Sequence, residues 1–196
     1  MAGSHVDLSR RAALKTLGAG VGAGALWPLL SDEASAAFAR IQSTQAPPTL
    51  AFLTPAQYAA VDAIAETIIP ADDHSPGARA ARVADYIDLL LSESPVEIQQ
   101  IWRAGLAALD ASTKTRFGRP FADLSAADAT AVLTELARNE ASPGTPLETF
   151  FKDMKEATIR GYYTSEIGIH RELQYKGNQM LPDFVGCTHK EHGYVG

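Results

Sequence analysis

Apolar residues in the middle of the chain recur at intervals of three and four, which is the period of a buried helix face. Between residues 54 and 160 this spacing predicts five helices, separated by breaks rich in Pro, Gly, Asp and Ser. No stretch alternates apolar and polar residues for long enough to predict a strand. We therefore expect an all-α domain of about five helices. Its predicted inward positions are Tyr58, Val61, Ile64, Ala65, Ile68, Val83, Tyr86, Ile87, Leu90, Leu91, Ile98, Ile101, Trp102, Leu106, Leu109, Ala129, Val132, Leu133, Leu136, Phe150, Phe151, Met154, Ala157 and Ile159.

Three sequence signatures predict where helices begin. Residues 54–57 place Thr at the N-cap, Pro at the first helical position and Gln two residues later, and residues 94–97 repeat the pattern with Ser, Pro and Glu. Residues 125–128 form a third cap.

The second helix is predicted over 79–93, and residues 112–124 are predicted as a loop whose Phe117 and Phe121 fill the core.

The first 39 residues have the order of a secretory signal peptide. Arg10 and Arg11 precede a soft apolar run over 16–30, and two small-residue triplets follow at 34–36 and 37–39. Paired arginines in this position are typical of a twin-arginine (Tat) signal, which directs folded proteins to the periplasm. A retained membrane anchor is the alternative, but the run is shorter than the roughly 20 residues that a spanning helix needs.

The rest of the chain divides into a flexible lead-in over 40–53, the helical domain over 54–160 and an irregular C-terminal tail over 161–196. About 157 residues are enough for a single core. The leader contains as many acidic as basic residues, so the net charge stays −6 after its removal. An acidic domain without a basic stripe argues against nucleic acid as a partner.

The C-terminal tail is rich in aromatic residues, which are enriched at the centres of protein interfaces. It is long and lacks a periodic pattern, so we expect it to form a partner surface. The predicted interface residues are Tyr162, Tyr163, Tyr175, Phe184 and Tyr194.

Cys187 is the only cysteine of the chain. In an oxidising compartment a lone cysteine is either a buried thiol or half of an intermolecular disulfide. Cys187, His189 and His192 also form the nearest pattern to a zinc or copper site, which His170 would complete only by folding back. Three candidates within six residues lack the second ligand pair of a structural zinc site, and a solvated polar tail is the simpler interpretation.

No motif of an active site is found. The chain has no G-x-S-x-G, no dinucleotide-binding glycine motif after a strand and no C-x-x-C-H haem site. Asp72, Asp73 and His74 lie in a predicted loop, where aspartates cap turns. Asp85 and Asp88 are predicted to lie on a solvated helix face.

Four stretches of the chain resemble the gluconate 2-dehydrogenase subunit 3 family. They are the Tat signal, residues 53–72, residues 77–88, and the Gly-Tyr-Tyr-Thr-Ser block at 161–165 with Gly168 and residues 175–177 behind it. The Gly-Tyr-Tyr-Thr-Ser block is the most specific of the four.

The resemblance implies a non-catalytic small subunit. In such complexes a large subunit of the glucose-methanol-choline type holds FAD, with or without an iron–sulfur cluster, and oxidises a sugar or sugar acid. A multihaem cytochrome c subunit carries haem c and takes the electrons to the inner membrane. The small subunit supplies the Tat signal and helps its partner to fold, to bind flavin and to be exported. In some members a disulfide joins the large and small subunits, which makes Cys187 the candidate here.

Two other functions remain open. The chain is either a free-standing periplasmic enzyme or metal-binding protein that uses Cys187, His189 and His192, or a structural module that dimerises through Cys187.

Overall fold

The computed structural model describes residues 30–44, 47 and 49–177, and all regular secondary structure in this part of the chain is helical. The prediction of an all-α fold is confirmed. The six α-helices are α1 (Asp32–Ser43), α2 (Pro55–Ile68), α3 (Val83–Ser92), α4 (Val96–Phe117), α5 (Ala126–Ala137) and α6 (Pro146–Tyr163), with a 3-10 turn at Phe121–Asp123 and a π-helical turn at Gly168–Glu172.

Helix α6 lies at the centre of the domain, because α2, α3, α4 and α5 all pack against it. Its inner face carries Phe150, Phe151 and Met154, all at most 4% exposed. Trp102 from α4 meets Phe150 edge to face, with 5.5 Å between the ring centroids. The core therefore forms around one helix that the other elements surround.

Two glycines let helices cross closely. A Cβ at Gly105 of α4 would lie 2.3 Å from the ring of Phe150, and a Cβ at Gly161 of α6 would lie 2.8 Å from the ring of Tyr86. Any larger side chain at either position would push α4 or α3 away from α6.

Helix α2 begins as the sequence predicts. The hydroxyl of Thr54 accepts a hydrogen bond from the Gln57 amide, and the Gln57 side chain accepts one from the Thr54 amide, with Pro55 at the first helical position. This capping box satisfies two backbone donors that the helix leaves unpaired. Thr145, which was not predicted as a cap, forms a capping box of the same kind at the start of α6, since Glu148 reaches back to the Thr145 amide.

The segment before α2 is fixed by a buried aspartate. The carboxylate of Asp88 on α3 accepts hydrogen bonds from the amides of Ala51, Phe52 and Leu53 at 2.6, 3.0 and 2.6 Å. Asp88 is only 2% exposed, so its prediction as a solvated residue is wrong. A buried carboxylate needs such partners, because removing it from water without them is costly.

Asp85 is the second buried carboxylate of α3, and it too was predicted to be solvated. It accepts hydrogen bonds from the Tyr58 hydroxyl at 3.0 Å and from the Arg82 guanidinium at 2.8 and 3.1 Å. Arg82 has a left-handed backbone with φ of 60°, and α3 therefore begins at Val83 rather than at the predicted residue 79. Burial and the Asp85 charge both raise the pKa of Tyr58, so this phenol stays protonated.

Helix α4 also departs from the sequence-based prediction. Ser94 does not cap it, because the Ser94 hydroxyl donates to the Leu90 carbonyl at the end of α3. The helix continues to Phe117, through residues predicted as loop, and ends at Gly118 with φ of 74°. Phe121 is buried as expected, whereas Phe117 is only partly buried. Ile101, predicted to point inward, is 48% exposed.

Residues 30–43 differ most from the expected organisation. Helix α1 takes in the last eight residues of the predicted leader and the first four of the predicted flexible lead-in. Ala34 and Phe38 are buried on one face of α1, and Leu30 just before the helix is buried as well. The small residues between them fit a cleavage site and a helix equally well, and the structure places them in a helix.

We expect Asp88→Asn to lower the free energy of unfolding by about 2–4 kcal/mol, because the amide puts an N–H₂ group where three backbone N–H groups converge. Urea denaturation of the purified chain measures this. Asp123→Asn is the matched control, since Asp123 is exposed, and its effect should stay within about 0.5 kcal/mol. Equal stabilities for the two variants would contradict the role given to Asp88.

Candidate functional site

The candidate site is an exposed apolar surface at the C-terminal end of α6 and in the segment that follows. It consists of Ile159, Tyr163, Leu173 and Tyr175, which are 40, 39, 57 and 49% exposed, and we call it the C-terminal apolar surface. Ile159 and Tyr163 lie one helical turn apart and share a face of α6. Exposed apolar side chains that share a helix face mark interaction sites more often than single scattered ones do.

Tyr162 anchors this surface from the inside. It is 2% exposed, its hydroxyl donates to the Pro76 carbonyl at 2.9 Å, and the Ser75 hydroxyl lies 2.6 Å away. Tyr163 packs its ring edge to face on Tyr162, with 5.3 Å between centroids. The partly exposed ring of Tyr163 thus packs on the buried ring of Tyr162, which orders it in the free chain.

The loop that receives Tyr162 is itself ordered by short hydrogen bonds. The carboxylate of Asp72 accepts from the amides of His74 and Ser75, both at 2.8 Å, and these bonds lower its pKa. A Cβ at Gly77 would lie 2.6 Å from the Ala71 amide nitrogen, so the loop closes only with glycine there. Asp72 therefore has the turn-capping role that the sequence predicts.

The turn after α6 is closed by Ser165. Its hydroxyl donates to the Tyr162 carbonyl at 2.6 Å and accepts from the Gly168 amide at 2.9 Å. A Cβ at Gly168 would lie 2.0 Å from the Tyr162 carbonyl oxygen, which excludes every other residue. Residues predicted as irregular from 161 onward thus form the end of α6 and an ordered turn through Glu172.

The predicted interface residues separate into three groups. Tyr163 and Tyr175 are exposed as an interface requires. Tyr162 is a core residue, so its prediction as an interface residue is wrong: it continues the buried stripe of α6. Phe184 and Tyr194 lie outside the described residues, together with the other predicted positions, Arg10, Arg11, Cys187, His189 and His192.

Ile159 was predicted to point inward, and this prediction is wrong, because its side chain is 40% exposed. Leu173 was not identified as a surface residue. The buried face of α6 follows residues 150, 151, 154, 157, 158, 161 and 162, and Ile159 lies outside that face. The helical period alone therefore distinguishes it from its neighbours. Leu173 follows the π-helical turn, whose geometry no sequence pattern predicts.

Asp153 is the most perturbed carboxyl group in the described part of the chain. It lies half-buried on α6, and desolvation, reinforced by the charge of Glu156, raises its pKa to about 6. Asp153 and Tyr163 are on the same helix but ten residues apart. The raised pKa of Asp153 therefore concerns the stability of the folded chain, since its ionised form is disfavoured there.

Other concave sites are shallow. One groove of about 370 Å³ lies between α2 and α4 and is lined mainly by alanines, and another of about 240 Å³ lies between α1, α3 and α6. Within residues 30–177 as described, no three His, Cys, Asp or Glu side chains are placed to hold a metal ion. None of the described helices is long and apolar enough to cross a membrane.

A family model described as gluconate 2-dehydrogenase subunit 3 matches residues 55–182, more than half of the chain. The match begins at the first residue of α2 and includes every later helix and the C-terminal apolar surface. No curated protein and no solved structure gives a match. The chain therefore belongs to the gluconate 2-dehydrogenase subunit 3 family.

We expect Asp153→Asn to raise the free energy of unfolding by about 1 kcal/mol at pH 7.5 and to have little effect near pH 4. Asp153 binds its proton more tightly in the folded chain. The cost of ionising it is therefore fully present above about pH 6 and disappears as the pH falls towards its ordinary value near 3.8. Urea denaturation at both pH values measures the difference.

Asp73→Asn serves as the control for this pH dependence, because Asp73 is exposed in the loop after α2. A gain of stability at pH 7.5 that is equal in both variants would rule out a specific contribution from Asp153.

Proposed function

Because the chain belongs to the gluconate 2-dehydrogenase subunit 3 family, we propose that it is the non-catalytic small subunit of a periplasmic, FAD-dependent sugar or sugar-acid dehydrogenase. Its large partner is of the glucose-methanol-choline type and holds the flavin, with or without an iron–sulfur cluster. A cytochrome c subunit holds haem c and links the complex to the inner membrane. This chain escorts the large subunit during folding, flavin binding and export.

The observation that carries this proposal is the family match together with the C-terminal apolar surface. The matched region contains the surface, and it is built from aromatic and aliphatic side chains, the types that dominate binding at interface centres. The sequence, in contrast, has no motif for flavin or haem attachment, and the described residues place no group of metal ligands together. The proposal therefore gives this chain a binding role and places the redox chemistry in its partners.

The Tat signal completes the proposed escort function. Arg10 and Arg11 lead a chain whose domain folds around a single core, and the Tat route carries folded cargo. One signal then serves both subunits, provided that they associate before export. Cys187 is proposed to join the two subunits by a disulfide once the complex reaches the oxidising periplasm.

Expression of the large subunit with and without this chain tests the escort function. We expect soluble, flavin-loaded and exported large subunit only when both are present. With Arg10→Lys and Arg11→Lys combined, the complex should still form and bind flavin but remain in the cytoplasm. Flavin absorbance and fractionation of the periplasm are the measurements, and equal yields of exported enzyme without this chain would refute the proposal.

A second prediction concerns the C-terminal apolar surface. Ile159→Glu combined with Tyr163→Glu should weaken association with the large subunit by roughly tenfold or more, because a charge at an apolar interface centre loses its water without gaining a partner. Because the Tyr163 ring also packs on the buried ring of Tyr162, circular dichroism of the free variant subunit separates loss of the surface from loss of the fold.

Ile101→Glu is the matched control, since Ile101 is an exposed apolar residue on the outer side of α4. Co-purification with the tagged large subunit measures association, and non-reducing electrophoresis of the same samples detects the bond to Cys187. Equal losses for the α4 and α6 variants would show that the C-terminal apolar surface is not the docking site.

A further inference from the structure

Helix α1 is packed onto the domain through its own apolar face. Ala34 and Phe38 are each 5% exposed, and Leu30 just before the helix is 8% exposed. The ring of Phe38 meets that of Tyr86 on α3 edge to face, with 5.3 Å between the centroids. The helix thus contributes side chains to the same core as α3.

Hydrogen bonds tie both ends of α1 to the rest of the chain. Ser31 caps the helix by accepting from the Ala34 amide at 3.0 Å, and its own amide and hydroxyl both donate to the Glu93 carboxylate. At the other end the Glu166 amide donates to the Gln42 side chain at 3.1 Å. One end is therefore fixed beside the C-terminus of α3 and the other beside the turn that follows α6.

This placement conflicts with the two cleavage sites that the sequence offers. The bond after Ala36 lies in the middle of α1, and the bond after Ala39 lies one residue beyond the buried Phe38. Proteases cut backbone that has opened locally, and a helix with buried side chains and both ends anchored opens rarely. Cutting after Ala39 would also remove the ring that covers Tyr86.

We propose that α1 is retained in the mature protein and that neither small-residue triplet, 34–36 or 37–39, is cut in the folded chain. Any removal of the leader then takes place before Leu30. The inference rests on the proposed export in the folded state, because a chain that folds before export presents α1 already docked when it meets the signal peptidase.

The N-terminus of the exported chain is the first test. We expect the intact mass and N-terminal sequence of the chain recovered from the periplasm to show Leu30 and everything after it. A mature chain that begins at Ala37 or Arg40 would overturn the inference.

Digestion of the purified full-length chain gives a test that does not depend on export. Elastase cuts after small residues, so it should cut after Ala36 and Ala39 only slowly. Phe38→Ala should accelerate both cuts by roughly tenfold or more, because it removes the ring that holds α1 to Tyr86. Glu33→Gln, an exposed change on the same helix that borders neither bond, should leave the rates unchanged.

Glu93→Gln serves as a second variant if Phe38→Ala does not fold. It weakens only the contacts to Ser31 and should give a smaller increase at the same two bonds. Rapid cutting after Ala36 or Ala39 in the unmodified chain, or equal rates in all variants, would show that α1 does not protect these bonds. If elastase cuts the purified chain slowly but the chain is not exported, the protection of these bonds by α1 is supported and only the proposed export function is contradicted.

Discussion

The carboxylate of Asp88 is the contact on which the arrangement of this domain depends. It collects three backbone amides from residues 51–53 and thereby sets where α2 begins. Its helix, α3, has only ten residues, yet α1, α2 and α6 all pack against it. Tyr86 of the same helix contacts Phe38 on one side and approaches Gly161 on the other. This short helix organises three longer ones because Asp88 binds backbone amides, while the apolar residues of α3 pack against the neighbouring helices.

The elements that could be predicted from the sequence are those whose signals are local. The capping box at Thr54 involves residues three positions apart, and the core stripes of α2 and α5 follow from the helical period. Asp88 could not be placed in this way, because its three partners are backbone amides that lie 35 to 37 residues away. Asp85 has one local partner, Arg82, but its other partner, the Tyr58 hydroxyl, lies 27 residues away. A carboxylate within an apolar helix face is the only local sign of such a role, and both residues show it.

The part of the chain that contains the candidate surface was predicted correctly, but only some of its residues were. An aromatic-rich segment after α6 was expected to bind a partner, and Tyr163 and Tyr175 are exposed there. Tyr162 and Tyr163 are neighbours in the sequence, but one residue of α-helix corresponds to a rotation of about 100°. This rotation places Tyr162 in the core and exposes Tyr163 to solvent. The buried residues of α6 continue from Thr158 to Tyr162 at the helical period. Following this period would have placed Tyr162 in the core and Tyr163 on the surface. The left-handed backbone of Arg82 and the π-helical turn, by contrast, have no sequence signal of their own.

Helix α1 and the C-terminal apolar surface are held by the same short turn. The Glu166 amide that binds Gln42 of α1 lies three residues after Tyr163, and one residue after Ser165, which closes the turn. The segment that connects to the proposed export signal therefore touches the structure that presents the proposed partner surface. A chain in which α1 is not docked loses the bond to Glu166 and the packing on Tyr86 together. Correct docking of α1 and an ordered partner surface are thus properties of one folded state, which is the state that a folded-protein export route would carry.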